Sequence, residues 1–213
     1  MGERRVWDHV AKTFVSIEGW MHILGRRAMG RPAEFEIRLR RELFLDSRVE
    51  KKLGPRPPGH GRKAKLARFI AGNEEFDAVV FMADADSNVK KDWQAIVAEI
   101  EAGFASLADG PPGIPCVPMS TSESWLLADP AAWTALGLKN LKVLPKKPES
   151  IWGQPNDPQD NHPHQVMARA CAEAQAPDSL ETRRVLADAS DLVTLRSQCP
   201  VSYAPFHDAM AAL

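Results

Sequence analysis

The chain has 213 residues, 44% of them hydrophobic and 26% charged, enough for a buried core in one sizeable domain. Its 27 basic and 28 acidic residues give a formal net charge of -1, which excludes a polyelectrolyte binder. Any contact with nucleic acid must then come from local basic patches.

Cys116, Cys171 and Cys199 are few, odd in number and far apart. That pattern fits neither a disulfide framework nor a CxxC zinc site and suits a reducing cytosol. No apolar run reaches the length of a membrane span. The charged start MGERRVWDHV lacks the apolar stretch of a signal peptide, and Val6 breaks the myristoylation pattern. A cytoplasmic protein is expected.

Along the chain, AKTFVSIEG reads as a strand ending at Glu18-Gly19. WMHILGRRAM follows at helical spacing, and EFEIRLR alternates in the manner of a half-buried strand. KKLGPRPPGHGRK is a break, and KAKLARFIAGN a helix closing at Gly72-Asn73. A buried strand over residues 77–83 ends in Asp84 and Asp86, and KKDWQAIVAEIEAGFASL is an amphipathic helix. A short strand around residues 114–119 leads into TSESWLLADPAAWTAL, where Asp129-Pro130 has the form of an N-cap and first helical residue. Beyond a polar loop at residues 145–165, helices are predicted at about 164–175 and 179–197.

Strands alternating with helices imply an α/β fold with a small parallel sheet flanked by helices. Residues 1–140 form this α/β domain on our reading, and residues 141–213 a loop-rich, helical extension packed on it.

Acids stand at three strand ends: Glu18, the pair Asp84 and Asp86, and Glu123. In a parallel sheet those ends share one edge, where functional groups gather. Converging carboxylates suit Mg²⁺ or Mn²⁺, hard cations that take oxygen ligands. Metal-assisted attack of water on a phosphodiester is the natural reaction for such a site. Read more plainly, Asp84 and Asp86 lie in a solvated loop with Asp86 or Ser87 capping the next helix, Glu18 belongs to a turn and Glu123 complements a helix dipole. His162 and His164 lie in a Pro-flanked loop and are read as lacking a role, unless that loop folds over the acidic edge. Arg56, Arg62, Lys63, Lys65 and Arg68, with Lys146 and Lys147, could neutralise phosphates or form a solvated surface. Trp93, Trp125 and Trp133 read as core, and Trp152 as exposed.

VSIEGWMHI, VVFMADADSN and STSESWLLADP together resemble the three motifs of Toprim-like families, the last being most similar to proteins of the DUF4276 type. The resemblance covers roughly residues 12–130 and extends more weakly beyond. It implies a Toprim-like fold in which Glu18, Asp84 and Asp86 hold Mg²⁺ (or Mn²⁺) and, with Glu123, are catalytic. It further implies a nuclease related to the OLD family, acting on DNA or RNA in bacterial antiphage defence beside an ABC- or OLD-like ATPase. The chain has no Walker A pattern of its own. Family members often carry a second acid shortly after the first Glu-Gly, where this chain has Met21 and His22. That departure favours the alternative, a non-catalytic regulatory or adaptor subunit retaining the fold.

Overall fold

The computed structural model of the chain describes the backbone of residues 4–8 and 13–17 and all of residues 19–213. Strands β1 (Arg4–Asp8) and β2 (Thr13–Ile17) pair antiparallel, Val6 opposite Val15. Helix α1 (Trp20–Met29) follows, ending at Gly30 in the left-handed conformation, φ 66°. A short α2 (Ser47–Lys52) leads to α3 (Gly59–Asn73), β3 (Val79–Met82), α4 (Lys90–Ala105) and β4 (Gly113–Cys116). The chain then becomes helical: α5 (Glu123–Leu126), α6 (Pro130–Leu136), α7 (Pro163–Glu173), α8 (Leu180–Ala189), α9 (Leu192–Gln198) and α10 (Tyr203–Ala211).

The fold is therefore mixed α/β, with a short parallel sheet flanked by helices. Strands β3 and β4 pair in parallel, Phe81 opposite Pro115, with α4 as the crossover between them. The first strand of the sequence reading departs from expectation. It is the second strand of an antiparallel hairpin, and among the described residues its ladder is separate from β3–β4. EFEIRLR differs too, because residues 35–39 form no ladder. Ile37 is still buried, and Arg38 is held by Glu36 and Glu74. Its alternation records one buried side without a partner strand to complete it.

Helix α3 starts inside the Gly/Pro segment read as a break. Its glycines allow close contact with α4: a Cβ on Gly103 would sit 2.2 Å from the Gly61 carbonyl oxygen. The single helix expected over residues 179–197 is two. Asp191 accepts from the Val193 and Thr194 amides and so starts α9 afresh.

The larger apolar cluster runs through α1, β4 and α5–α10. Trp20, Trp125, Trp133, Met167, Leu186 and Tyr203 are all fully buried within it. Trp125 donates from Nε1 to Ser202 Oγ at 2.7 Å, joining α5 to the start of α10. All three cysteines lie buried in this cluster. A second cluster, around Phe81, Ile100 and Phe104, packs α3 and α4 against β3. No helix among the described residues is long and apolar enough to cross a membrane.

Candidate functional site

The backbone pairing of β3 with β4 continues past the formal strand ends, and this builds the site. The Ala83 amide donates to Cys116 O at 3.1 Å, Ala85 to Pro118 O at 3.0 Å and Asp86 to Ser120 O at 3.0 Å. Ser120 returns a bond to Ser87 O at 2.8 Å. Asp86 and Ser120 both take positive φ, 47° and 62°, so both chains turn at the same level. That shared turn carries TSES beneath Asp84, and the Ser122 amide donates to Asp84 Oδ1 at 3.0 Å.

Asp84 and Glu123 thereby converge, with Asp86 exposed above them. Burial, and then the charges of Glu123 and Asp86, push the Asp84 carboxyl up to about 6. Glu123 is 1% exposed and behaves oppositely. Burial pushes its carboxyl up, but interactions with His164 and Arg183, among others, hold it below the ordinary range. Arg183 Nη1 donates to Glu123 Oε1 at 2.7 Å, and His164 Nε2 lies 3.5 Å from Glu123 Oε2. Arg183 also bonds Asp178, which fixes its guanidinium between two carboxylates.

Neighbouring polar groups add to the site. The buried hydroxyls of Ser120, Thr121 and Ser122 have no hydrogen-bond partner among the described residues, in a segment that touches both carboxylates. His162 caps α7 by accepting from the His164 amide at 3.3 Å. Its ring stands 5.0 Å from His164 and 5.3 Å from Trp152, centroid to centroid. A groove along the β3 edge opposite β4, lined by His22, Phe35 and Val80, opens onto Asp84 and Asp86.

Of the residues singled out from sequence, Asp84, Asp86 and Glu123 meet at one sheet edge. Glu18 lies outside the described residues. The histidine loop does fold over the acidic edge. Asp129 is a cap as expected, accepting from the Ala131 amide at 2.8 Å. His22 accepts from the Gly19 amide at 2.9 Å and serves the first turn of α1. Arg183 was missed, because one arginine in LETRRVLADA looks like any solvated helix face.

Most of the basic cluster is committed to the fold. Arg56 and Arg62 pair with buried Glu50, and Lys65 donates to Leu53 O and Pro55 O at 2.6 and 2.9 Å. Lys63 donates to Leu43 O. Arg68 serves the carbonyls of Phe104, Leu107, Gly110 and Pro111. Other exposed lysines lie nearer the acidic residues in sequence or space. Lys90 and Lys91 open α4 and Lys146 and Lys147 sit in a loop, the two segments joined by Asn88 Nδ2 donating to Ser150 O at 3.1 Å.

Hard oxygen donors are the chemistry Mg²⁺ or Mn²⁺ prefers, and Asp84 is a half-buried carboxyl whose like-charge neighbours a cation would relieve. Among the described residues no group of three or more His, Cys, Asp or Glu side chains is placed to hold a metal.

Residues 6–211 match the family described as a domain of unknown function, DUF4276, and the chain belongs to that family. No curated protein and no solved structure matches it.

Proposed function

We propose that the protein is a Toprim-like, Mg²⁺- or Mn²⁺-dependent phosphodiesterase, a nuclease acting on DNA or RNA. One observation carries this reading: Asp84, half-buried and pushed up to about 6, sits with Asp86 and Glu123 where the parallel strands end. Asp84 and Asp86 would hold the cation, with Glu18 as a further ligand from the first motif. Bound there, the cation would polarise a phosphoryl oxygen and favour ionisation of water. The chain's own residues supply the rest. Ser122 orients Asp84, Arg183 locks Glu123, and the exposed lysines at positions 90, 91, 146 and 147 offer phosphate contacts beside the site. An ATPase partner in antiphage defence, in the cytoplasm, is the setting the motifs imply.

The second reading is a non-catalytic regulatory or adaptor subunit, favoured by the pairing of Glu123 with Arg183. Purified protein with single- and double-stranded DNA and total tRNA, in Mg²⁺, Mn²⁺ or EDTA, separates the two. Metal-dependent cutting lost in Asp84→Ala and Asp86→Ala establishes the phosphodiesterase. No cutting and no metal-induced thermal shift establishes the adaptor.

A further inference from the structure

We propose that His164 is the proton acceptor of this site, held in place by Glu123 and His162. The inference rests on the phosphodiesterase reading and places the base outside the acidic motifs, whose Glu18 is the other candidate for it.

Position comes first. His164 lies in the first turn of α7, an 11-residue helix whose N-cap is His162. Its backbone is tied by the His162 Nδ1 bond and its ring lies against the His162 ring, itself backed by Trp152. Through Glu123, the ring is also coupled to Arg183, which fixes the carboxylate below it. These constraints come from three separate elements and converge on one half-exposed imidazole. A side chain with no task at a helix start does not require them.

Orientation comes second. Nε2 faces Glu123 Oε2 at 3.5 Å, while the side chain keeps 47% of its surface exposed. A carboxylate beside one ring nitrogen favours the tautomer with the proton on that nitrogen, leaving the other as a lone pair. Nδ1 is then the basic atom. Contacts of this kind are long in unliganded sites and tighten when substrate is bound.

The reaction balances without a redox partner. The water oxygen forms a bond to phosphorus as His164 Nδ1 takes the water's proton. The bond from phosphorus to the leaving ester oxygen breaks, its electron pair staying on that oxygen. The proton returns through solvent to that oxygen, giving a phosphomonoester and an alcohol. Glu123 stabilises the imidazolium that forms, and acts here as a positioning residue.

Two measurements test this. In ¹⁵N-labelled protein, long-range ¹H–¹⁵N spectra of neutral His164 should show the Nε2–H tautomer; the Nδ1–H tautomer would overturn the assignment. In the cleavage assay, His164→Ala and His164→Asn should lose roughly 100-fold to 10,000-fold in rate, the usual worth of a general base. Both should keep the Mn²⁺-induced thermal shift, and free imidazole should restore cutting by His164→Ala. Wild-type rates in both variants would overturn the role of His164 and leave the phosphodiesterase intact. A wild-type protein that cuts nothing would overturn both.

Discussion

Ser122 donates its backbone amide to Asp84 Oδ1 at 3.0 Å, so the residue before Glu123 anchors the carboxylate that follows β3. The two acids are 39 positions apart in sequence, and this one bond sets them side by side. Their environments then diverge. Glu123 has the Arg183 guanidinium against it, and Asp84 has mainly burial and like charge.

The first expectation is a pH dependence of stability. The folded protein holds the Asp84 proton more tightly than the unfolded chain, about 6 against an ordinary 3.8. Its favourable contribution is complete below about pH 4 and is lost as pH rises through about 6. Without metal, Asp84→Asn should therefore gain on the wild type across that interval, by about 3 kcal/mol at most. Urea unfolding of both proteins at several pH values measures the difference. A constant difference would show that Asp84 titrates normally.

Arg183→Met should be costly. It leaves a carboxylate that is 1% exposed without the Arg183 guanidinium, and breaking such a buried pair costs about 3 kcal/mol. Urea unfolding should show the loss, and Glu123→Gln in the same background should recover part of it.

Gly103→Ala should destabilise by up to about 3 kcal/mol, because its Cβ would meet the Gly61 backbone oxygen at 2.2 Å. Helices α3 and α4 would have to separate. A melting temperature unchanged from wild type would contradict the close crossing.

Glu149→Ala should unfold more readily as well. The buried Glu149 carboxylate accepts from the amides of Val201 at 2.9 Å and Ser202 at 2.7 Å, and from the Ser202 hydroxyl. Its loss strands donors at the start of α10, a cost of about 3 kcal/mol. Denaturant midpoints of the two proteins test this.

Much of the acidic edge was legible in the sequence because a buried strand followed by charge is a local pattern. VVFM ending in Asp84 and Asp86, the α4 periodicity and the Asp129-Pro130 cap each declare themselves within a few residues. The partners of those acids do not. Arg183 reaches Glu123 across 60 positions, and nothing in LETRRVLADA distinguishes it from its neighbour Arg184, which pairs with Glu181. The basic segment misled for a related reason. Lys65 and Arg68 look like surface charge in sequence, yet their long stems carry the cation to carbonyls at the ends of α2 and α4. Strand pairing was equally hidden. Alternation in EFEIRLR specifies a buried side, but only a neighbouring strand makes a ladder, and the sequence of one segment does not contain its neighbour.

The central claim is that Asp84 holds a divalent cation, and Mn²⁺ titration followed by electron paramagnetic resonance tests it most directly. Wild-type protein should remove free Mn²⁺ from solution in a saturable way, and Asp84→Asn should fail to do so. Equal binding by both proteins, or none by either, would contradict the assignment.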